Sequence, residues 1–351
     1  MYKIAVVGGD GVGPEVIREA LKILKKSSEL YNFKYETTAF PFGSEHYLKT
    51  GELMPDSVYS EYRDHDAILL GAIGDPRVEV GLVERAVIAG IRFNLDLYIN
   101  LRPIKLYSES LCPLKGKKCS DVDMIVVREN TEDVYTGIGG IMKKDTPDEV
   151  AIANMIFTRK GCEQAVRYAF EQAQLRKKDM KVTLVDKANA IRAQDIWTRT
   201  LEEVGREYPD ITFDHAYIDA ACMWLVKNPE WFDVVVTTNL FGDIFTDLGA
   251  MIQGGMGIAA SGNIHPGKVS MFEPIHGSAP KYKNKNVASP IAAIMAVQMM
   301  LDFLGEKKAA DNIETTVARL LASGRIKSLD AKSGISTVEM GNMVAKELED
   351  K

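Results

Sequence analysis

Asn239-Leu240-Phe241-Gly242-Asp243-Ile244-Phe245-Thr246-Asp247 follows the apolar run Val234-Val235-Val236. The run has the composition of a buried strand, and the polar break after it reads as a strand-to-helix junction. On a helix, residues i and i+4 stand about 40° apart around the axis, which puts Asp243 and Asp247 on one face. Two carboxylates there repel unless a cation lies between them, and Mg²⁺ or Mn²⁺ prefers such hard oxygen ligands. Taken alone, the commoner meaning of such a pair is a solvated helix start, where acids complement the macrodipole.

The same alternation extends in both directions. Residues 4–7, 67–70, 124–127, 182–185 and 233–237 are short apolar runs of strand type, whereas 15–26, 161–174, 193–207 and 290–304 carry the helical period. Strands alternating with helices predict an α/β fold. Glycine, proline and charge gather at 114–118, 142–148 and 281–286, which read as loops. The chain is expected to cross between two lobes near Asn100-Leu101-Arg102-Pro103, where Pro103 restrains a connector, and again near Gly254-Gly255-Met256-Gly257. The division is then residues 1–99 with 253–351, holding both termini, and residues 100–252. A cleft between two lobes is the default place for a ligand.

At 351 residues, 46% hydrophobic and 26% charged, the chain can bury a large core in two lobes. A net charge of −6 argues against nucleic-acid and polybasic membrane partners. Cys112, Cys119, Cys162 and Cys222 form no CxxC pair and no zinc-ligand spacing, which fits free thiols in a reducing cytoplasm. The sequence enters its first strand at once, without a signal-peptide pattern, and no apolar run is long enough for a bilayer. The expected location is cytoplasmic.

Gly8-Gly9-Asp10-Gly11-Val12-Gly13-Pro14-Glu15 invites a dinucleotide fingerprint, but Pro14 stands where the third glycine belongs. A glycine-rich turn into a helix with proline in its first turn explains the stretch without a ligand. Arg92, Arg102 and Arg128 are forks suited to carboxylates, although singly each is more often a surface ion pair. Tyr135 alone reads as a tyrosine capping the core, and Lys187 after its strand as a stem that packs while its head stays wet. A partly buried lysine beside other charges can also shuttle protons. The turn-rich segment 271–280 offers donors and a permissive backbone at His276, Gly277 and Ser278, suited to a nucleotide, though a surface loop is the simpler reading. His46, His65, His215 and His265 show no partners in the sequence.

Together, and in order from Gly9 to Gly341, these segments resemble the β-decarboxylating dehydrogenases, the isocitrate/isopropylmalate dehydrogenase family. The most specific parts are Asn239 to Asp247 with Gly254-Gly255, Glu273 to Pro280, and Asn100-Leu101-Arg102-Pro103. The resemblance implies an isopropylmalate dehydrogenase-like two-domain α/β fold, not a Rossmann fold. The large domain carries both termini and the nucleotide site, and the smaller one makes the dimer interface. It implies metal ligands at Asp243, Asp247 and Asp219, the last from the partner subunit, and substrate contacts at Ile88, Arg92, Arg102, Arg128 and Asp219. It places proton transfer on Tyr135 and on Lys187, Lys187 again crossing a homodimer with shared active sites. The nucleotide residues it implies are Glu273, His276, Gly277, Ser278, Ala279, Lys281, Tyr282, Ser289 and Asn189. The implied reaction is metal-dependent oxidation of a 3-carboxy-2-hydroxy acid, with hydride passing to a nicotinamide and loss of CO₂.

Substrate choice in this family lies on the helix before Arg92. Isocitrate enzymes place Ser and Asn where this chain has Ala86 and Ile88, and homoisocitrate enzymes an arginine near Ala89; a carboxylate left without such partners is penalised. Ile88 suits an isopropyl group, while Ala89 is smaller than the leucine expected and Arg85 departs from a frequent acid. The favoured substrate is 3-isopropylmalate, giving 2-oxoisocaproate in leucine biosynthesis, with D-malate, tartrate or another alkylmalate as alternatives. Lys281-Tyr282 leaves NADP open, whereas Ser336 to Gly341 is closer to NAD-using relatives, so NAD is expected, with Mg²⁺ or Mn²⁺. An inactive regulatory or binding subunit of the same fold would have lost one of the implied active-site residues, and none is lost.

Overall fold

The computed structural model describes residues 1–349. Met1–Leu97, Arg102–Val122 and the chain from Gly249 onward make one compact unit, and Tyr98–Leu101 with Asp123–Leu248 make the other. Both are α/β.

In the first unit, strands stand in the order Tyr35–Phe40, Tyr2–Val7, Ala67–Leu70, Ser270–Pro274, Ala260–Ile264. All neighbours are parallel except the last pair, an antiparallel hairpin with Ser261 opposite Glu273. Parallel strands covered on both faces need continuous apolar runs, and Ile4 to Val7 and Ala67 to Leu70 are buried throughout. Helix Ile291–Phe303 is apolar all round and buried from Ile291 to Val297, as a helix enclosed by others must be. Helices Gly13–Tyr31 and Lys307–Ala322 pack against it.

The glycine-rich turn before helix Gly13–Tyr31 spends its polar groups internally. The Asp10 and Val12 amides donate to Ala72 O and Ser278 O. The buried Asp10 carboxylate accepts from the amides of Ser44, Glu45 and Gly74. It therefore organises loops and the start of helix Ser44–Thr50, which agrees with the failed fingerprint.

In the second unit, the strand order is Asp123–Glu129, Val234–Thr237, Lys181–Asp186, Thr212–Tyr217, all parallel. Helices Arg159–Arg176 and Asp195–Gly205 pack on it, burying Phe170 and Trp197. Thr237 stands opposite Arg128 on one side and Val185 on the other, and Asp186 opposite Tyr217. The residues that follow these strand ends emerge together at the carboxyl edge, where open parallel sheets place ligands. A separate antiparallel pair, Gly139–Met142 with Val150–Ala153, is exposed at all eight positions.

The helix and strand expectations all fall within observed elements or overlap them. Pro103 lies inside strand Ile99–Lys105, within which the chain passes from one unit to the other. Proline costs a strand only one N–H donor, which is tolerated where that donor is not needed. The four cysteines are free thiols.

Candidate active site

Helix Asn239–Ile252 starts directly after strand Val234–Thr237 and carries Asp243 and Asp247 one turn apart. Its first turn is held by Asp133, a buried residue in a left-handed conformation (φ 69°), whose Oδ2 accepts from the Leu240 amide at 3.0 Å. Asn239 Nδ2 donates to Glu132 O at 3.2 Å. Asn239 Oδ1 then receives Arg128 Nε at 3.0 Å, and Arg128 Nη1 donates to Asp243 Oδ1 at 2.5 Å. Tyr135 OH donates to the other oxygen of Asp243 at 3.1 Å, and its ring lies 5.5 Å from the Arg128 guanidinium carbon. Gly242 admits this arrangement, since a Cβ there would sit 2.5 Å from Arg128 Cγ. The Arg128 side chain is 2% exposed, so its charge needs the Asp243 carboxylate nearby.

A second cluster lies at the neighbouring strand ends. Lys187 Nζ bonds Asp219 Oδ1 at 2.7 Å and sits 5.9 Å from the centre of the Tyr217 ring. The Lys187 ammonium holds the Asp219 carboxyl below the usual range. The Lys187 amide is fixed by Gln194 Oε1 at 2.6 Å. Just before it, the buried Asp186 carboxylate meets His215 Nε2 at 2.8 Å, a partner the sequence did not reveal. Asp133 and Tyr217 likewise carry no signal in the sequence, and the parts played by Asn239 and Gly242 emerge only with their contacts. The left-handed backbone of Asp133 and the close approach at Gly242 are not visible before folding.

Asp243 and Asp247 supply hard oxygen donors on one helix face, the chemistry that Mg²⁺ and Mn²⁺ select. Among the described residues of one chain, no three acidic, histidine or cysteine side chains gather to hold a metal. Asp219 belongs to the Lys187 cluster in this chain, and the three aspartates do not converge within it. The donor set fits a divalent ion only when an additional ligand arrives from elsewhere.

In the first unit, Arg92 Nη2 bonds Glu273 Oε1 at 3.1 Å, and Asn263 Nδ2 bonds the same oxygen at 2.7 Å. Arg102 is buried in strand Ile99–Lys105. Ile88 packs at the margin of the core cluster containing Val87 and Ile91. His276 Nδ1 lies 3.0 Å from Gly277 O, while its Nε2 is buried without a hydrogen-bond partner. Burial lowers its pKa, which keeps the ring neutral. Nothing lies within 4 Å of where a Cβ on Gly277 would be. An orphaned ring nitrogen beside open space fits the base of a nucleotide. Ser278 is buried, with its carbonyl engaged by Val12, and Ala279 is left-handed at φ 41°. Lys281 Nζ lies over the Tyr282 ring at 4.8 Å. Ser289 Oγ donates to Gly257 O at 3.0 Å. Asn189 is exposed in the second unit, in the turn after strand Lys181–Asp186.

Glu129, next to Arg128, is 1% exposed, and burial pushes its carboxyl up to about 7 from an ordinary 4.5 despite bonds from the Thr131 amide and hydroxyl. The folded state therefore binds this proton more tightly than the unfolded chain. Its stability contribution is fully present below the unfolded value and is lost as pH rises through the folded one. Denaturation midpoints are expected to fall less between pH of about 5 and about 8 in Glu129→Gln than in the wild type. Parallel curves for the two proteins would contradict this.

The isocitrate/isopropylmalate dehydrogenase family profile matches residues 3–344, and the chain belongs to that family. It is 47% identical over 346 residues to the 3-isopropylmalate dehydrogenase of Thermobifida fusca, covering 98% of this chain and 96% of that one. It is 48% identical over 347 residues to the 3-isopropylmalate dehydrogenase of Nocardia farcinica, covering 98% and 99%. Its fold is similar to the crystal structure of isocitrate dehydrogenase from Methylococcus capsulatus, with a TM-score of 0.89, 35% identity and coverage of 100% of both chains. Among the described residues, no helix is long and apolar enough to cross a membrane.

Proposed function

We propose that this chain oxidatively decarboxylates 3-isopropylmalate to 2-oxoisocaproate, the step used in leucine biosynthesis, with NAD as hydride acceptor and Mg²⁺ or Mn²⁺ as the resident ion. The observation that carries the reading is the end-to-end identity of 47% and 48% to enzymes named for that substrate. Ala86 and Ile88 support it, because neither offers a polar group to a third carboxylate and Ile88 presents an apolar surface.

When bound, the divalent ion lowers the pKa of the substrate's C2 hydroxyl and polarises the C2 carbonyl that replaces it. Asp243 and Asp247 would hold it together with Asp219 of a second copy. Arg92, Arg102 and Arg128 would hold substrate carboxylates. Lys187 would take the C2 hydroxyl proton, and a bound nicotinamide nucleotide would supply the acceptor for the C2 hydride. The C3 carboxylate then departs as CO₂, leaving its bonding electrons with the substrate, and Tyr135 OH returns a proton to C3.

A homodimer supplies the missing ligand. Exposed apolar side chains support it: Ile141, Met142, Val150 and Ile152 on the antiparallel pair, Met223 on helix Ile218–Lys227, and Ile244 with Met251 on helix Asn239–Ile252. A two-stranded ribbon with no covered face is marginal in water, so burial against a second copy accounts for it. His276 to Tyr282 would carry the nucleotide. NADP is the alternative that Lys281 leaves open.

The test follows reduced nicotinamide by absorbance, with NAD or NADP, Mn²⁺ and a panel of malates. The expected outcome is the highest kcat/KM with 3-isopropylmalate and NAD. A higher value with D-malate, tartrate or isocitrate would overturn the substrate assignment.

A further inference from the structure

The segment carrying Ile88 is not an ordinary helix. Helix Leu82–Glu84 passes into a π-helical stretch, Arg85–Ala89, before α geometry resumes at Gly90–Asn94. The Gly90 amide donates to Arg85 O, five residues back, and to Val87 O, but not to Ala86 O as an α-helix would have it. Ala86 O instead accepts the Tyr59 hydroxyl at 2.7 Å. Tyr59 comes from helix Asp56–Tyr62, is 6% exposed, and its raised hydroxyl pKa, caused first by burial, keeps it a donor. Gly90 makes the room: a Cβ there would sit 2.2 Å from Tyr59 Oη and 2.8 Å from its Cζ.

A π turn holds one more residue than an α turn. That residue rotates everything before it by about 100° relative to everything after it. Arg92 lies after the stretch, Glu84 before it, and Ala86, Ile88 and Ala89 within it. The facing of the apolar substrate-selecting side chains relative to the carboxylate-binding Arg92 is thus set by whether the wide turn persists. Before it, Glu84 Oε1 lies where a Cβ on Gly74 would be only 2.8 Å away.

We propose that Tyr59 is a specificity-positioning residue: by bonding the carbonyl that the wide turn withholds from Gly90, it locks Arg85–Ala89 in π geometry and so aims Ile88 at the 3-substituent of the substrate. The inference rests on the assignment of a 3-alkylmalate substrate, which Ile88 would contact. Tyr59 itself touches neither substrate nor cofactor in this reading.

Tyr59→Phe keeps the ring and removes the donor. The expected result is a rise of about fivefold or more in KM for 3-isopropylmalate, with kcat and the KM for NAD within about twofold of wild type. Selectivity for 3-isopropylmalate over D-malate falls correspondingly. Gly90→Ala, which displaces the Tyr59 hydroxyl without altering it, is expected to shift selectivity in the same direction. Amide hydrogen exchange supplies a readout independent of substrate: residues 85–90 should exchange faster in Tyr59→Phe, with helix Ile291–Phe303 unchanged. Unchanged selectivity, or unchanged exchange across 85–90, overturns the proposal. A wild-type enzyme that oxidises neither malate overturns the substrate assignment instead, and the exchange comparison still decides whether Tyr59 holds the turn.

Discussion

Lys187→Ala is expected to lower kcat by about a thousandfold or more while leaving the proposed dimer and the denaturation midpoint close to wild type. The loss follows from removal of the amine that the proposed mechanism uses as proton acceptor. Near Lys187 Nζ stand the Asp219 carboxylate and the face of the Tyr217 ring, and neither replaces an amine as acceptor of the hydroxyl proton. The small stability effect follows from exposure: the Lys187 side chain is 25% exposed and that of Asp219 68%, so the pair is screened by water. The backbone role of the position survives, because its amide bond to Gln194 Oε1 does not involve the side chain. Steady-state kinetics and size-exclusion chromatography check both halves. A kcat within tenfold of wild type would remove Lys187 from proton transfer.

Asp247→Asn carries the second large effect: kcat/KM is expected to fall by about a thousandfold at a fixed Mn²⁺ concentration, with part of the loss recovered as Mn²⁺ is raised. Asp247 is chosen over Asp243 for its greater exposure. Asp243 also neutralises the buried Arg128 and accepts from Tyr135, so replacing it disturbs the cluster as well as any ion. Asp247 is exposed on the same helix face, one turn further along. An amide there keeps the shape and removes one negative charge from the ion's surroundings. Titration of Mn²⁺ against activity separates weaker ion binding from misfolding, since unfolded protein is not rescued by the ion. A Mn²⁺ dependence identical to wild type would exclude Asp247 as a ligand.

Much of this was legible in the chain before folding. Apolar runs such as Val234 to Val236 mark buried strands because parallel strands in a covered sheet have no polar face to show. The Asp243/Asp247 spacing gave their shared face. Pro14 spoke against a pyrophosphate loop, and in the fold the amides of Asp10 and Val12 are spent on Ala72 and Ser278. What stayed hidden depends on long-range contact. Arg128 meets Asp243 across 115 residues of sequence, and no local pattern encodes such a meeting. Tyr59 and Ala86, 27 residues apart, define a wide turn whose sequence reads as ordinary helix. The ribbon of Gly139–Met142 and Val150–Ala153 escaped because it has no buried face, so burial left no alternation to read.

The separation of Lys187 and Asp219 from Arg128, Tyr135, Asp243 and Asp247 into two clusters leads to the central claim, that each active site draws one cluster from each of two chains. Subunit mixing tests it. Lys187→Ala and Asp247→Asn, each inactive alone, are unfolded together and refolded. Half of the dimers are then mixed, and a mixed dimer holds one site with both lesions and one with neither. The account predicts recovery to about a quarter of wild-type activity. If both clusters served a site within one chain, every site in the mixture would carry a lesion, and activity no higher than that of the separate variants would contradict the account.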